Sequence, residues 1–152
     1  MGTENLLATS MGLIYKSVGK GGFLTAFDYP GAQRTSAAAI NDIGVIGGNY
    51  SVAVNGQVQE FAFLYTHGVF SQFVCSLTPS PIIAGMNDAG TIVGTYIPST
   101  GSTESFISRN GECLPFNGPG GEAVQVTGIN NDGVIVGNLF DQVTSFIATP
   151  AQ

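Results

Sequence analysis

One stretch of eleven residues occurs three times along this chain of 152 residues and restricts what the chain can fold into. The first copy, residues 40–50, is Ile-Asn-Asp-Ile-Gly-Val-Ile-Gly-Gly-Asn-Tyr, and related copies occupy residues 86–96 and 129–139. The leading asparagines of the three copies are 46 and then 43 residues apart. A nearly fixed period of this size is typical of an array of one supersecondary unit, in which each copy buries its apolar face against its neighbour.

Each copy contains a turn signal between two apolar runs. Its leading asparagine is followed by an aspartate or a second asparagine and then, three residues after the first asparagine, by a glycine. Asparagine and aspartate side chains hydrogen-bond the backbone two residues on, and glycine accepts a positive φ. The pattern therefore predicts three tight turns between strands. Their structural residues are Asn41, Gly44, Asn87, Gly90, Asn130 and Gly133.

Short aromatic and β-branched segments, which favour strands, follow each asparagine turn at residues 60–65, 104–108 and 144–148, with an earlier relative at residues 12–15. Further hairpin signals are Asn55-Gly56 and Asn110-Gly111. Four strands within about 40 to 50 residues match the size of a propeller blade. We therefore predict an all-β fold of propeller-like four-stranded meander repeats, with a β-trefoil as the alternative.

The predicted units form a single domain over residues 1–152. Three β repeats cover residues 35–80, 81–123 and 124–150, and an N-terminal partial repeat covers residues 11–34. The aromatic strand occurs four times and its neighbours three times, so one strand is left over, to be displaced or lent to another chain. Because unpaired strand edges associate, we expect a homo-oligomer, with a dimer that forms a six-bladed ring favoured.

Charge limits the partners of the chain. The net charge is −6, from 10 acidic and only 4 basic residues, whereas nucleic acids and anionic membranes bind clustered lysines or arginines. We therefore expect no nucleic-acid partner and no membrane partner. No apolar run approaches the length of a membrane span, and residues 1–7 lack the features of a signal peptide. This predicts either a protein that is not exported or one whose signal has been removed.

Few residues offer catalytic chemistry. The single histidine, His67, occupies a turn position equivalent to Asn110, where an exposed side chain is expected. One histidine and two separated cysteines do not supply the ligands of a zinc site, and we predict no metal and no cofactor. A hydrolase that uses dispersed carboxylates is an alternative function. Its candidate residues are Asp28, Glu60, Glu104, Glu112, Glu122 and Asp141.

Calcium binding is a second interpretation of the asparagine turns. It would use Asp42, Asp88 and Asp132 as ligands, and it needs several oxygen atoms that converge on the ion. Only the third copy offers several candidates close together in sequence, namely Asn130, Asp132 and Asp141. The turn interpretation is therefore preferred.

Aromatic residues recur after the asparagine turns. Tyr50 and Tyr96 stand at matching positions, and in the third copy Leu139 is followed by Phe140. Rings next to polar side chains can stack on a sugar, so Tyr50, Tyr96 and Phe140 are the candidate ligand-binding residues of a carbohydrate-binding module. Repeated aromatic residues more often pack between units, and both interpretations stay open.

The two cysteines, Cys75 and Cys113, are too few to define a disulfide framework. They do not occupy equivalent positions in the repeats. We expect Cys113 to be a buried thiol, and a bridge between the two cysteines stays open.

Two stretches give the chain a family resemblance. Gly-Ile-Asn-Asn-Asp-Gly-Val-Ile-Val-Gly at residues 128–137 and Phe-Asp-Tyr-Pro-Gly-Ala at residues 27–32, together with the aromatic strands, resemble the bacterial repeat family called HAF. The resemblance spans residues 12–150. The family is named for a His-Ala-Phe tripeptide, of which only Ala62 and Phe63 are present; Phe61, Glu104 and Thr144 stand at the histidine position.

The resemblance implies an extracellular or cell-surface location and supplies no catalytic residues. We therefore expect a non-enzymatic β-repeat protein that serves self-assembly or surface binding. The carbohydrate-binding module and the hydrolase with dispersed carboxylates are the alternatives.

Overall fold

The protein is all-β, as its sequence predicts. The computed structural model describes residues 11–140 and 144–150, and within these ranges it contains strands and turns but no helix, hence none that could cross a membrane. The strands are β1 (Gly12–Val18), β2 (Gly21–Phe27), β3 (Arg34–Ile40), β4 (Ile46–Val54), β5 (Gln57–Thr66), β6 (Val69–Phe73), β7 (Ile82–Met86), β8 (Ile92–Tyr96), β9 (Glu104–Arg109), β10 (Glu112–Phe116), β11 (Val124–Ile129), β12 (Ile135–Leu139) and β13 (Ser145–Ala148).

The strands form four antiparallel sheets, and in each sheet neighbouring strands are consecutive in the chain. β1 and β2 form the N-terminal hairpin. β3 to β6 form the first sheet, β7 to β10 the second, and β11 to β13 the third. β3 packs against β7, and β7 packs against β11, so the first strands lie side by side. The pairing of the described strands shows neither a closed barrel nor a closed ring of blades.

The first strand of each of the three larger sheets carries a β-bulge at the same place. The register with the second strand shifts at the residue pairs 37/39, 83/85 and 126/128. A bulge leaves one residue unpaired and bends its strand. Because the three bulges coincide, Ala37, Ile83 and Val126 occupy equivalent positions in their sheets.

Glycine faces phenylalanine across the second and third strands of each larger sheet. The pairs are Gly48–Phe63, Gly94–Phe106 and Gly137–Phe146. Phe63 and Phe106 are fully buried, and each ring lies over the glycine opposite, where no side chain stands in its way. One hydrophobic cluster fills each contact between successive sheets, including the contact between the hairpin and the first sheet.

The predicted hairpin turns at Asn55-Gly56 and Asn110-Gly111 are confirmed. Asn55, His67 and Asn110 each have a positive φ, between 49° and 52°, and each is followed by a glycine with positive φ. Two consecutive residues with positive φ are typical of the tight turns that join antiparallel strands. His67 is exposed in its turn, as expected.

The two cysteines are joined in a disulfide, which corrects the expectation of a free buried thiol at Cys113. Their Cα atoms are 5.4 Å apart. Cys75 follows β6 in a short segment bridged to Thr78, whereas Cys113 lies on β10. The bond therefore links the first sheet to the second. The packing of the two sheets brings the cysteines together, and positions within a repeat do not reveal it.

Candidate functional site

The three asparagine turns share one set of internal hydrogen bonds. The side-chain oxygen Oδ1 of Asn41 accepts from the backbone N–H of Val45 at 2.8 Å, and the backbone N–H of Gly44 donates to the carbonyl of Asn41 at 3.0 Å. Asn87 and Asn130 make the same two kinds of bond in their own turns. The glycine has a φ between +77° and +82° in all three turns. Residues that carry a side chain rarely adopt this backbone conformation, so the position requires glycine.

The asparagines also connect one turn to the next. The Nδ2 group of Asn41 donates to the backbone carbonyl of Asn87 at 3.2 Å, and Nδ2 of Asn87 donates to the carbonyl of Asn130 at 3.2 Å. The side chain of Asn41 or Asn87 thus accepts a hydrogen bond within its own turn and donates one to the following turn.

The residues after these asparagines form a second row of bonds. The backbone N–H of Asp42 donates to Asp88, and that of Asp88 donates to Asn131, at 2.8 and 2.9 Å. Nδ2 of Asn131 lies between the carboxylates of Asp88 and Asp42, at 2.8 and 3.2 Å. The third turn therefore touches the first turn directly. Together these bonds define the hub, which consists of Asn41, Asp42, Asn87, Asp88, Asn130 and Asn131.

The hub differs from the calcium site considered for the sequence. Asp42 and Asp88 do come together, but both carboxylates accept hydrogen bonds from Nδ2 of Asn131, and that of Asp88 also accepts from the backbone N–H of Asp42. Asp132 makes none of these bonds. No group of three or more histidine, cysteine or acidic side chains in the described ranges could hold a metal ion. Asp141, the remaining candidate, lies outside those ranges.

Tyr50 is a packing residue in the contact between the hairpin and the first sheet. Its side chain is 7% exposed, and its ring stacks on that of Tyr29 with the centroids 3.6 Å apart and an angle of 6° between the planes. Burial, followed by the hydrogen bond with Tyr29, raises the pKa of Tyr50 to about 12. A sugar would have to displace Tyr29 in order to stack on this face.

Tyr96 is buried in a different cluster, between the first and second sheets. It is 4% exposed, and its hydroxyl donates to the Glu104 carboxylate at 2.6 Å. Burial, and then this bond, raise the pKa of Tyr96 to about 12. Phe140, 45% exposed, lies in the turn after β12. The structure does not bring the three predicted aromatic residues together, and only Phe140 presents an open ring.

Side-chain clamps join successive sheets, and no pattern in the sequence predicts them. Asn49 on β4 donates through Nδ2 to the carbonyl of Pro81 at 2.7 Å, and its Oδ1 accepts from the N–H of Ile83 at 3.2 Å. Both bonded groups belong to the first strand of the next sheet or to the residue before it. The bonds fix the position of that strand relative to β4.

The contact between the second and third sheets repeats this clamp with another residue. The hydroxyl of Ser105 on β9 donates to the carbonyl of Val124 at 2.6 Å and accepts from the N–H of Val126 at 3.1 Å. Val124 and Val126 are equivalent to Pro81 and Ile83. The same two backbone groups are therefore held from neighbouring strands, by an asparagine in one contact and a serine in the other.

The third sheet carries both kinds of clamp residue and leaves both exposed. Asn138 on β12 is equivalent to Asn49, and Ser145 on β13, its cross-strand partner, is equivalent to Ser105. The hydroxyl of Ser145 donates to Oδ1 of Asn138 at 3.0 Å. On the same face Val136 is 42% exposed, whereas its equivalent Val93 in the second sheet is fully buried.

The opposite end of the array leaves the back of β3 uncovered. Ala37 is exposed, although its equivalents Ile83 and Val126 are buried beneath the preceding sheet. Ile40 is 63% exposed, whereas its equivalent Met86 is 7% exposed. A cleft of about 260 Å³ lies here between β1 and β3. Its lining consists of residues 13–15, residues 37–40 and Ile46.

A second cleft, of about 340 Å³, lies beside the disulfide and is lined by Phe61 and residues 72–79. Neither cleft is lined by a histidine or by an acidic or basic side chain. General acid–base chemistry needs such groups within hydrogen-bond reach of a substrate. The predicted carboxylates that the structure describes do not line either cleft.

No family model matches the chain, and no curated protein or solved structure matches it either. The resemblance to HAF repeats accordingly stays a prediction from the residues.

Proposed function

We propose that this chain is a non-enzymatic β-repeat protein that assembles with copies of itself. One observation carries the proposal, namely the apolar face of the N-terminal hairpin. Leu13 and Tyr15 lie on one face of β1, and Leu24 lies directly opposite Tyr15 on β2. Each of the three side chains is more than half exposed. A contiguous apolar patch on a soluble domain is typical of a protein–protein contact.

The chemistry of the two clefts supports a non-enzymatic role. Both clefts are apolar or carry only neutral polar side chains, and the single histidine is exposed in a hairpin turn. Carbohydrate binding and hydrolysis by dispersed carboxylates stay predictions. Among the aromatic residues chosen for sugar binding, only the exposed Phe140 supports the carbohydrate alternative.

The finer architecture belongs to the same proposal. We infer that residues 35–80, 81–123 and 124–150 are three units of one propeller-like repeat, with residues 11–34 as a partial unit. The side-by-side first strands, the coincident bulges and the hub support this inference. The bond between Asn131 and Asp42 joins the first and third turns directly, which favours a narrower arrangement than the six-bladed ring expected from the sequence.

We also propose that the protein works outside the cytoplasm and is related to the HAF repeats. The disulfide between Cys75 and Cys113 supports the location, because such bonds persist in oxidising compartments. The repeated asparagine turns support the relationship, because each leading asparagine and its glycine have a structural role in the turn.

Light scattering on a sizing column tests self-assembly. We expect a mass of at least twice 15.6 kDa at high protein concentration. Replacing Tyr15 and Leu24 by serine should lower the mass toward that of the monomer, since it removes the apolar patch. Val58 and Val69, equally exposed but on the first sheet, provide the control when replaced by serine. A wild-type protein that stays monomeric at every concentration would contradict the proposal.

A further inference from the structure

We infer that Asn138 of one chain docks on β3 of a second copy of the chain and accepts there, from the N–H of Ala37, the hydrogen bond that corresponds to the N–H half of the clamp within the chain. The inference rests on the proposed function and names the contact through which the copies assemble. It follows from a comparison with the two contacts between sheets within the chain. In those contacts a following sheet covers the clamp residue, and a clamp residue accepts from the first strand of the following sheet.

The side chain that docks is Asn138, on the third sheet. Asn49, at the equivalent position of the first sheet, is 5% exposed because the second sheet covers it, whereas Asn138 is exposed. Only Ser145 is hydrogen-bonded to the Asn138 side chain within the described ranges. The face of β12 around Asn138 therefore has the residue types of an internal contact, but no sheet in the described part of the chain packs against it.

The receiving group lies on β3. In the internal contacts, the backbone N–H of Ile83 or Val126 donates to the clamp residue of the preceding sheet. The equivalent group is the N–H of Ala37, and no side chain in the described part of the chain accepts from it. Ala37 is exposed and lines the cleft between β1 and β3. The other half of the clamp site corresponds to the carbonyl of Thr35, which is fully buried, so docking uses the N–H of the exposed Ala37.

The cleft has the position of a missing second strand. β4 packs on β7 and β8 packs on β11, while the third strands β5 and β9 touch the same partners from further out. β1 contacts β3 as β5 contacts β7 and as β9 contacts β11. The internal contacts also have a second strand, β4 or β8, next to the third strand. The equivalent position next to β1 is the cleft. The strand that carries the equivalent residues in the third sheet is β12.

Docking of β12 in the cleft places it next to β1. β1 has seven residues and, among the described strands, pairs only with β2, so no described strand occupies its other edge. β13 has four residues and pairs only with β12 among the described strands. β1 of the second copy therefore replaces β13 as the outer neighbour of β12. This exchange releases Asn138 from Ser145 and uses the surplus aromatic strand.

Two variants that each disable one side of the contact test the inference. Asn138→Ala removes the clamp, and Ala37→Pro removes the N–H; proline is tolerated on an edge strand whose N–H points away from its neighbour. Each variant alone should shift to the monomer, with a dissociation constant raised at least about tenfold, because every contact needs one intact Asn138 and one intact Ala37. A mixture of the two should form a 1:1 complex of about 31 kDa, twice the chain mass. Sedimentation velocity measures both results.

Ser145→Ala is the matched control. It removes a hydroxyl that is bonded to Asn138 in the free chain but has no role in the docked one, so the variant should assemble at least as strongly as the wild type. If Ala37→Pro unfolds, Ala37→Asp replaces it, since an exposed aspartate leaves the free chain folded and places an unpaired charge in the contact. Circular dichroism establishes that each variant is folded.

Three results would overturn the inference. A wild-type assembly that both variants leave intact would do so while preserving the proposed function, because another surface would then join the copies. Folded, monomeric variants that fail to combine when mixed would exclude the contact between Asn138 and Ala37. A wild-type protein that is always monomeric would remove the inference and the proposed function together.

Discussion

The side-chain amide of Asn41 donates a hydrogen bond to the backbone carbonyl of Asn87, 3.2 Å away, and thereby links two turns that are 46 residues apart. Asn87 repeats the arrangement with Asn130, 43 residues further on. In both cases the same side chain accepts a hydrogen bond inside its own turn. Asparagine suits this position because it offers an acceptor and a donor on one short side chain.

Asn87→Asp tests the bond between turns. The substitution keeps an oxygen for the N–H of Thr91 but removes the donor to the carbonyl of Asn130, so we expect a loss of about 2 kcal/mol in the free energy of unfolding by urea. Asn130→Asp is the control, because Asn130 accepts within its turn but donates no side-chain bond in the described ranges. Equal losses for the two variants would show that the added charge, and not the lost donor, is responsible.

Gly94→Ala tests the glycine and phenylalanine pairs of the sheets. A Cβ atom at Gly94 would collide with the carbonyl of Ile82 and would lie 2.8 Å from the ring of Phe106. Since the core around Phe106 is fully buried, we expect a loss of about 3 kcal/mol or an unfolded protein. At Gly128 a Cβ atom would meet only Val136 among the described residues, at 3.7 Å, so Gly128→Ala should change stability by less than about 1 kcal/mol. Thermal unfolding of both variants measures the difference.

The strands and turns of this protein follow from local signals, whereas the contacts between sheets do not. Asn110-Gly111 predicts its hairpin because both residues accept a positive φ. The clamp of Asn49 on Pro81 depends on which sheet lies beside β4, and Ser105 replaces it from a different strand in the next contact. Alignment of the repeats therefore does not reveal the clamp, because the residue that makes it lies on the second strand in one sheet and on the third strand in the next.

The same distinction applies to the recurring aromatic residues. Tyr50 and Tyr96 recur at one position, which fits either a repeated sugar site or repeated packing. Tyr29, from outside the recurring stretch, covers Tyr50, and Glu104 binds Tyr96 from the neighbouring strand. Burial depends on these partners, which the period of the repeat does not identify.

Tyr96→Phe tests the buried bond to Glu104. A hydrogen bond to a charged acceptor is lost, so we expect the variant to be about 2 kcal/mol less stable than the wild type at neutral pH. The pKa of Tyr96 is about 12 in the folded protein, against 10 for an ordinary tyrosine. The unfolded chain therefore ionises first, and this stabilisation is present below pH 10 and lost as the pH rises through 12. Urea unfolding across this window should show the advantage of the wild type over the variant shrinking.

The Cys75–Cys113 bond predicts a response to reductant. It closes a loop of 38 residues, and breaking such a bond costs about 2 to 4 kcal/mol. We expect dithiothreitol to lower the midpoint of thermal unfolding of the wild type and to leave a variant with serine at both positions unchanged. Mass spectrometry after alkylation checks the bond directly. Two alkylated thiols in protein that has not been reduced would contradict it.

Asn131→Asp tests the end of the hub where the first and third turns meet. Nδ2 of Asn131 is the donor that separates the carboxylates of Asp42 and Asp88, and an aspartate there would place three carboxylates together. Like charges at this distance repel, so we expect a loss of about 1 to 2 kcal/mol at neutral pH that is partly recovered in acid, where one carboxyl is protonated. The exposed Asn117, replaced by aspartate, adds the same charge away from the hub and should have little effect. Added calcium should stabilise only the Asn131→Asp variant, because three carboxylates supply oxygen ligands that the wild-type turn lacks. Equal stability of both variants at all pH values would show that the contact between the first and third turns does not form.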